Sequence, residues 1–389
     1  MMQPVLRAGG AMVCAIFWLA TTGSALYDVP SPLPSAPPGT VIWSRPFTGG
    51  SLLKNAASNT LALYHTVSAA GRDVAVSGTI AIPKGSPPPG GWPVISWAHG
   101  TTGNAPQCAP SKAAVQNGEQ RFLEQWISRG FAVVQTDYEG IGTPGVHPYF
   151  ASGSGAHDVI DIVRAARHLN PDIGDRWIAM GHSEGGTVAL YAAVTGRSWA
   201  PELHLLGVVA YAPGSDISDF FGETSVSTQP TTMLPLLGMM IAGIASTDPH
   251  VDLKTVLTPK GMALLPSLQS ECDVALMSSA AWTSIPPADI FQPNARSSAL
   301  MQDFIANEPL TWHLEGPVLV EQGTNDMVVP YQNSVVLRSV LCRNGSRLEL
   351  DAVQGATHGS VMALSSDSVS AWISDRLAGK PASGNCPAS

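Results

Sequence analysis

A mostly parallel central sheet with helices on both faces and one inserted helical segment is the α/β architecture this sequence predicts, and three observations carry it. From residue 93 to residue 211, short apolar runs alternate with helix-compatible stretches, the order that builds a parallel sheet through crossover helices. The alternation stops between 213 and 310 and resumes from 317 to 377. In the middle of the first block, the apolar run Trp177-Ile178-Ala179-Met180 passes through Gly181-His182-Ser183-Glu184-Gly185 into a helix-compatible stretch at 186–193. That junction reads as strand, sharp turn, helix.

The elements follow in order. Residues 1–25 carry one positive charge at Arg7, an uncharged stretch from Ala8 to Ala20, and the small residues Gly23, Ser24 and Ala25. This is the pattern of a cleaved secretory signal peptide, with an apolar core shorter than the ~20 residues of a membrane span. It predicts a secreted protein, extracellular or periplasmic. Residues 27–38 are rich in proline and serine and form an extended lead-in; 60–83 alternate as hairpin strands; 84–91 make a proline-glycine loop. Strands are then expected at 93–98, 131–136, 177–180 and 205–211, with helices at 119–129, 156–169 and 186–195. In the second of these helices Val159, Ile162, Val163 and Ala166 recur at spacings of three and four, which puts one apolar stripe against the sheet. Between 213 and 310, Met233, Leu234, Leu236, Leu237, Met239, Met240 and Ile241 crowd together among prolines and glycines, a helical insertion. Strands at 317–322 and 347–353 and helices at 331–341 and 366–377 complete the sheet. The expected organisation is a core in two parts, 26–212 and 311–389, with a helical cap at 213–310 between them.

Only 13% of the 389 residues are charged, the net charge is −9, and 44% are hydrophobic. A chain of this length and composition buries a large core rather than staying disordered, and it has no basic surplus for nucleic acid. Beyond Cys14 in the leader, four cysteines remain: Cys108, Cys272, Cys342 and Cys386. An even number in an exported chain predicts two disulfides. Of the three pairings, Cys108 with Cys272 and Cys342 with Cys386 is favoured, because the second would tie down a tail that otherwise frays. No C-x-x-C pair or neighbouring histidine supplies zinc-ligand spacing, so neither metal nor cofactor is expected.

A G-x-S-x-G pattern alone is a weak signal in a chain with 38 glycines, so its surroundings decide. Glycines on either side allow a turn tight enough to hold Ser183 at the positive end of the following helix. A serine hydroxyl is a poor nucleophile at neutral pH and needs a histidine to take its proton and an acid to orient that histidine. In α/β-hydrolases the chain order is serine, then acid, then histidine, each on a loop after a strand. The strand at 317–322 empties into Gly323-Thr324-Asn325-Asp326, making Asp326 the candidate acid. The last strand leads into Gln354-Gly355-Ala356-Thr357-His358-Gly359, making His358 the candidate base. Asp351 is the substitute acid, worse placed inside a strand. Backbone donors for an oxyanion are expected from Glu184 and from the loop after strand 93–98, where Thr101 is the best candidate and Gly100 the fallback. His99 and His182 flank the site as wall residues, while His147, His157 and His168 precede the elbow, against the expected order. Asp137 and Glu139 follow a strand, and two acids so close in a turn are expected to bond to backbone rather than to react.

At these residues the sequence resembles the secretory lipase family, the lipase-A-like branch of the α/β-hydrolases. The matching stretches are Asp137-Tyr138-Glu139-Gly140-Ile141-Gly142, His147-Pro148-Tyr149, Gly181-His182-Ser183-Glu184-Gly185-Gly186, Gly323-Thr324-Asn325-Asp326 and Thr357-His358-Gly359. The resemblance runs from about Trp97 to His358. It implies secreted carboxylester hydrolysis through a triad of Ser183, Asp326 and His358 beneath a helical cap. The cap matches nothing residue by residue, so acyl-chain preference does not transfer. Its methionines suit an adaptable apolar pocket or ordinary packing equally. The expected partner is a small-molecule or lipid ester, with transient contact with lipid interfaces. A secreted peptidase and a noncatalytic binding module are the competing readings; the first lacks an obvious charge to anchor a peptide terminus, and the second is expected to lack one member of the triad.

Overall fold

The structure is a computed structural model that describes residues 26–112 and 117–387; the signal peptide expected at 1–25 lies outside them. Nine strands form one sheet among the described residues: β1 (Val41–Pro46), β2 (Ser58–Val67), β3 (Asp73–Ile82), β4 (Trp92–Ala98), β5 (Ala132–Thr136), β6 (Ile173–His182), β7 (His204–Tyr211), β8 (Val318–Gly323) and β9 (Leu348–Val353). Their order across the sheet is β1-β2-β3-β5-β4-β6-β7-β8-β9. The first three strands and the β3–β5 pair are antiparallel, and every pair from β5 to β9 is parallel.

Alternation along the central strands sorts side chains between two cores, as a period of two requires. Val94, Trp177, Ala179, Val208, Ala210, Val318 and Val320 face one layer, packed with α2 (Ser152–Leu169), α3 (Glu184–Trp199) and α11 (Tyr331–Arg343). Ile95, Trp97, Ile178, Met180, Val209, Tyr211 and Leu319 face the other, packed with α1 (Asn117–Ser128), α12 (Val361–Leu364) and α13 (Ser366–Leu377). Each large side chain so buried contributes about 1.5 to 3 kcal/mol relative to exposure. The predicted stripe of α2, Val159, Ile162, Val163 and Ala166, is fully buried against the sheet.

Between β7 and β8 lie α4 (Ile217–Thr224), α5 (Leu234–Thr247), α6 (Leu253–Val256), α7 (Pro259–Leu264), α8 (Asp273–Ser278), α9 (Ala280–Thr283) and α10 (Ala299–Ala306). They enclose a third core of their own, built on Phe221, Met239, Met240, Trp282 and Phe304 and joined by Tyr149 and Phe150. Two glycines let α5 pack closely: a Cβ on Gly238 would stand 2.6 Å from the Trp282 ring, and one on Gly243 would stand 2.4 Å from the Tyr149 backbone nitrogen.

Both favoured disulfides are present. Cys108–Cys272 ties the segment after β4 to the start of α8, beside a hydrogen bond from the Asp273 N–H to the Thr102 carbonyl (3.0 Å). Cys342–Cys386 holds the tail along the outer edge of the sheet, where Asn385 exchanges hydrogen bonds with Leu348 and Leu350 of β9. An edge strand otherwise left open is thereby covered.

Glu321 of β8 is fully buried, and its Oε2 has no hydrogen-bond partner among the described residues. Burial first, and then Asp351 beside it in the sheet, push its carboxyl up to about 9. Between the ordinary 4.5 and that value, the unfolded chain releases a proton that the folded chain keeps, so stability falls as pH rises through this window. Glu321→Gln keeps the shape and removes the titration. It is expected to unfold at the same denaturant concentration as the parent at pH 4 and to be more stable at pH 8, by on the order of 1 to 3 kcal/mol. Equal stability at both pH values in urea titrations would contradict the neutral, buried acid.

Candidate active site

The turn between β6 and α3 is built by what its glycines lack. A Cβ on Gly181 would lie 2.1 Å from the Gly185 carbonyl oxygen, one on Gly185 2.0 Å from that of Ala98, and one on Gly186 2.8 Å from that of Tyr211. Strand, helix and neighbouring strands can therefore close on one another only with glycine at these three positions. Ser183 sits at the apex with φ 57° and ψ −119°, a conformation that costs a non-glycine residue of order 1 to 3 kcal/mol and clusters at functional sites. Its N–H donates to the Tyr211 carbonyl at 2.9 Å, and the residue stays half-buried.

Asp326 follows β8, and its side chain is fully buried. Its Oδ1 accepts the backbone N–H groups of Val328 (2.8 Å) and Val329 (2.9 Å), while Oδ2 accepts Gln322 Nε2 (3.0 Å) and faces His358 Nδ1 at 2.8 Å. Burial would raise this carboxyl, but the His358 hydrogen bond and charge, with the two backbone donors, hold it below the usual range. A carboxylate at Nδ1 fixes the hydrogen there and leaves Nε2 with its lone pair free. Asp351, the substitute acid, lies on β9 beside Glu321 instead.

His358 is held from a second side. His182 Nε2 donates to the His358 carbonyl at 2.8 Å, and the two rings lie 4.5 Å apart. Burial, and then the neighbouring His358, push the His182 imidazole down to about 4, so it remains a neutral donor at ordinary pH. Because His182 immediately precedes Ser183, this contact brings the His358 loop to the elbow. Among the described residues no hydrogen bond joins Ser183 Oγ to His358, a contact that commonly tightens only when substrate is bound.

The loop after β4 covers the elbow from the opposite side. A Cβ on Gly100 would stand 3.3 Å from His182 Nδ1 and 3.6 Å from Ser183 Cβ. Thr101 Oγ1 hydrogen-bonds the Tyr149 hydroxyl, and Glu184 occupies the first position of α3. All five candidate residues, Ser183, Asp326, His358, Thr101 and Glu184, thus lie on loops and termini gathered at the carboxyl ends of β4, β6, β8 and β9.

The remaining signature residues brace this arrangement. Asp137, pushed up to about 6 by burial, accepts Ser77 Oγ (2.6 Å) and the Ser111 N–H (2.9 Å). Glu139 accepts Ser154 Oγ (2.5 Å). Both acids are occupied by the scaffold, through serine hydroxyls more than through the backbone groups expected. Tyr138 donates its hydroxyl to the His99 carbonyl at 3.0 Å. His147, set aside on chain order, instead contacts the site directly: its Nε2 lies 2.8 Å from Glu184 Oε1. The only trace of that contact in the sequence is the His147-Pro148-Tyr149 stretch, which carries no chemistry by itself.

The chain has counterparts among known proteins. A profile of the secretory lipase family matches residues 109–385. The chain is 25% identical over 391 aligned positions to the probable inactive lipase MT1628 of Mycobacterium tuberculosis, covering 93% of this chain and 84% of that protein. It is 23% identical over 276 to secreted triacylglycerol lipase LIP4 of Malassezia globosa, covering 67% and 58%. Among solved structures, Candida antarctica lipase A in its closed state superposes with a TM-score of 0.75 at 18% identity, over 90% of this chain and 84% of that one. The rice cell wall degrading esterase LipA from Xanthomonas oryzae gives 0.72 at 22% identity, over 89% and 100%. The shared fold is that of the α/β-hydrolases.

Proposed function

From the premise that this chain belongs to the secretory lipase family, we propose that it is a secreted serine carboxylester hydrolase that cleaves apolar acyl esters through an acyl-enzyme on Ser183. The observation that carries the reading is the Asp326–His358 hydrogen bond of 2.8 Å beside a serine held at positive φ. Ser183 Oγ attacks the ester carbonyl while His358 Nε2 takes its proton, and the Asp326 carboxylate stabilises the imidazolium. The carbonyl oxygen becomes an oxyanion facing the N–H groups of Glu184 and Thr101; one such donor is worth about 2.7 to 4 kcal/mol in the transition state. His358 then protonates the departing alcohol. Water, deprotonated by the same nitrogen, attacks the acyl-enzyme, and the carboxylic acid leaves as Ser183 regains its proton. No step calls for a metal or cofactor.

The helical segment at 213–310 serves as the cap. Its apolar α5, with Leu237, Met239 and Met240 buried, suits an acyl pocket for short and medium chains. Export is supported by the secreted Malassezia relative and by the two disulfides. One relative is named a probable inactive lipase, so turnover itself is the point to measure. A fluorophosphonate probe is expected to label Ser183 stoichiometrically, and p-nitrophenyl esters from acetate to palmitate should give highest kcat/KM at short to medium length. Absence of labelling would remove the nucleophile assignment, and preference for aminoacyl anilides would replace the esterase by a peptidase.

A further inference from the structure

Glu184 offers more than a backbone N–H. Its carboxyl and the His147 imidazole are 4% and 5% exposed and meet at 2.8 Å. His147 Nδ1 faces the Glu139 carbonyl at 3.0 Å; a carbonyl only accepts, so Nδ1 carries a hydrogen. If Nε2 were then bare against an ionised carboxylate, lone pair would oppose charge. The two bonded arrangements are imidazolium with carboxylate and neutral imidazole with carboxylic acid, and in both the pair sums to zero charge.

His147 also reaches the other side of the oxyanion site. Its ring stacks on Tyr138 (5.5 Å, 11° between planes), whose hydroxyl holds the His99 carbonyl. Its edge meets Tyr149 (5.8 Å), whose hydroxyl bonds Thr101 Oγ1. The Glu184 charge bears on His99, Tyr138, Tyr149 and Asp273, from the loop after β4, the signature stretches and the cap. His147 is the basic group that bonds it.

We propose that His147 is the positioning residue of the oxyanion site, cancelling the charge of the Glu184 side chain and joining the two residues whose N–H groups receive the oxyanion. This rests on the serine-hydrolase reading. A bare carboxylate on the donor residue itself would oppose the negative charge that develops on the substrate oxygen, in surroundings that screen it poorly.

The full chain carries the test. His147→Gln keeps a donor toward residue 184 but cannot neutralise it, and is expected to lower kcat on a p-nitrophenyl ester by about 10- to 100-fold with KM changed less than about threefold. Adding Glu184→Gln removes the stranded charge and should restore at least about fivefold of the loss. A double variant no better than His147→Gln, or a single variant as active as the parent, overturns the proposal in favour of simple packing. Should His147→Gln fail to fold, ¹⁵N-histidine NMR of the parent protein decides: a protonated His147 Nδ1 supports the assignment and a bare one overturns it. Parent protein that neither labels with fluorophosphonate nor turns over would fail the serine reading itself, a separable outcome.

Discussion

Ser183→Ala is expected to lower kcat for ester hydrolysis by about 10⁴- to 10⁶-fold, the scale on which removing a nucleophile from a coupled triad acts. The fold should not notice. Ser183 Oγ makes no hydrogen bond among the described residues, so its removal strands no partner, and alanine bears the same backbone conformation as serine at φ 57° with the same cost. The melting temperature should therefore stay within a few degrees of the parent. Ser183→Gly, which relieves the strain, should be as inactive and slightly more stable, by about 1 kcal/mol. The pair of variants separates chemistry from architecture: turnover above about 1% of the parent in Ser183→Ala, with correct folding, would place the nucleophile elsewhere.

Asp326→Asn comes next, with an expected loss of about 10⁴-fold in kcat. The four groups around this carboxylate, Val328 N, Val329 N, Gln322 Nε2 and His358 Nδ1, bond it as donors. An amide has one accepting oxygen. If that oxygen keeps the two backbone N–H groups, the amide NH₂ points at His358 and forces the hydrogen onto Nε2, the atom that must receive the serine proton. If it keeps His358, its NH₂ faces the part-buried N–H groups of Val328 and Val329, which lose their acceptor, at about 1 kcal/mol of stability. Activity and stability cannot both survive. Urea titration alongside kcat measurements from pH 6 to 9 tests this; near-parental values of both would shift the role to another acid.

Most of the parallel core could be read from the chain because each strand is a short apolar run bounded by turn residues, and because serine, acid and histidine fall on loops after strands, those of β6, β8 and β9. The antiparallel edge was less legible. β1, Val41-Ile42-Trp43-Ser44-Arg45-Pro46, is short, partly exposed and ends in proline, so its pairing with β2 depends on a partner its own sequence does not announce. α2 begins at Ser152, several residues before the apolar stripe, because Ser152-Gly153-Ser154-Gly155 has poor helix propensity and is fixed by packing: a Cβ on Gly155 would stand 2.8 Å from Val188 of α3. β6 likewise starts at Ile173, where pairing with Trp92 extends it beyond its apolar run. His147 is set aside on chain order because a lone histidine upstream of the elbow has no periodicity or spacing to tie it to the site; only the fold brings it to Glu184. The favoured disulfides were read from the need to fasten a loose tail, and the structure adds that the same tail shields β9.

The bond between Cys108 and Cys272 bears on attempts to trade specificity between relatives. A chimaera that imports a foreign stretch for 213–310 and brings no cysteine to the matching place inherits Cys108 as an orphan thiol, fully enclosed. It also loses the fit at Gly103, where even a β-carbon would come within 2.9 Å of the Cys272 Cα. The helical segment and the loop after β4 are in that sense one heritable module, and successful grafts should be those that transplant residues 101–108 together with the helices of 213–310.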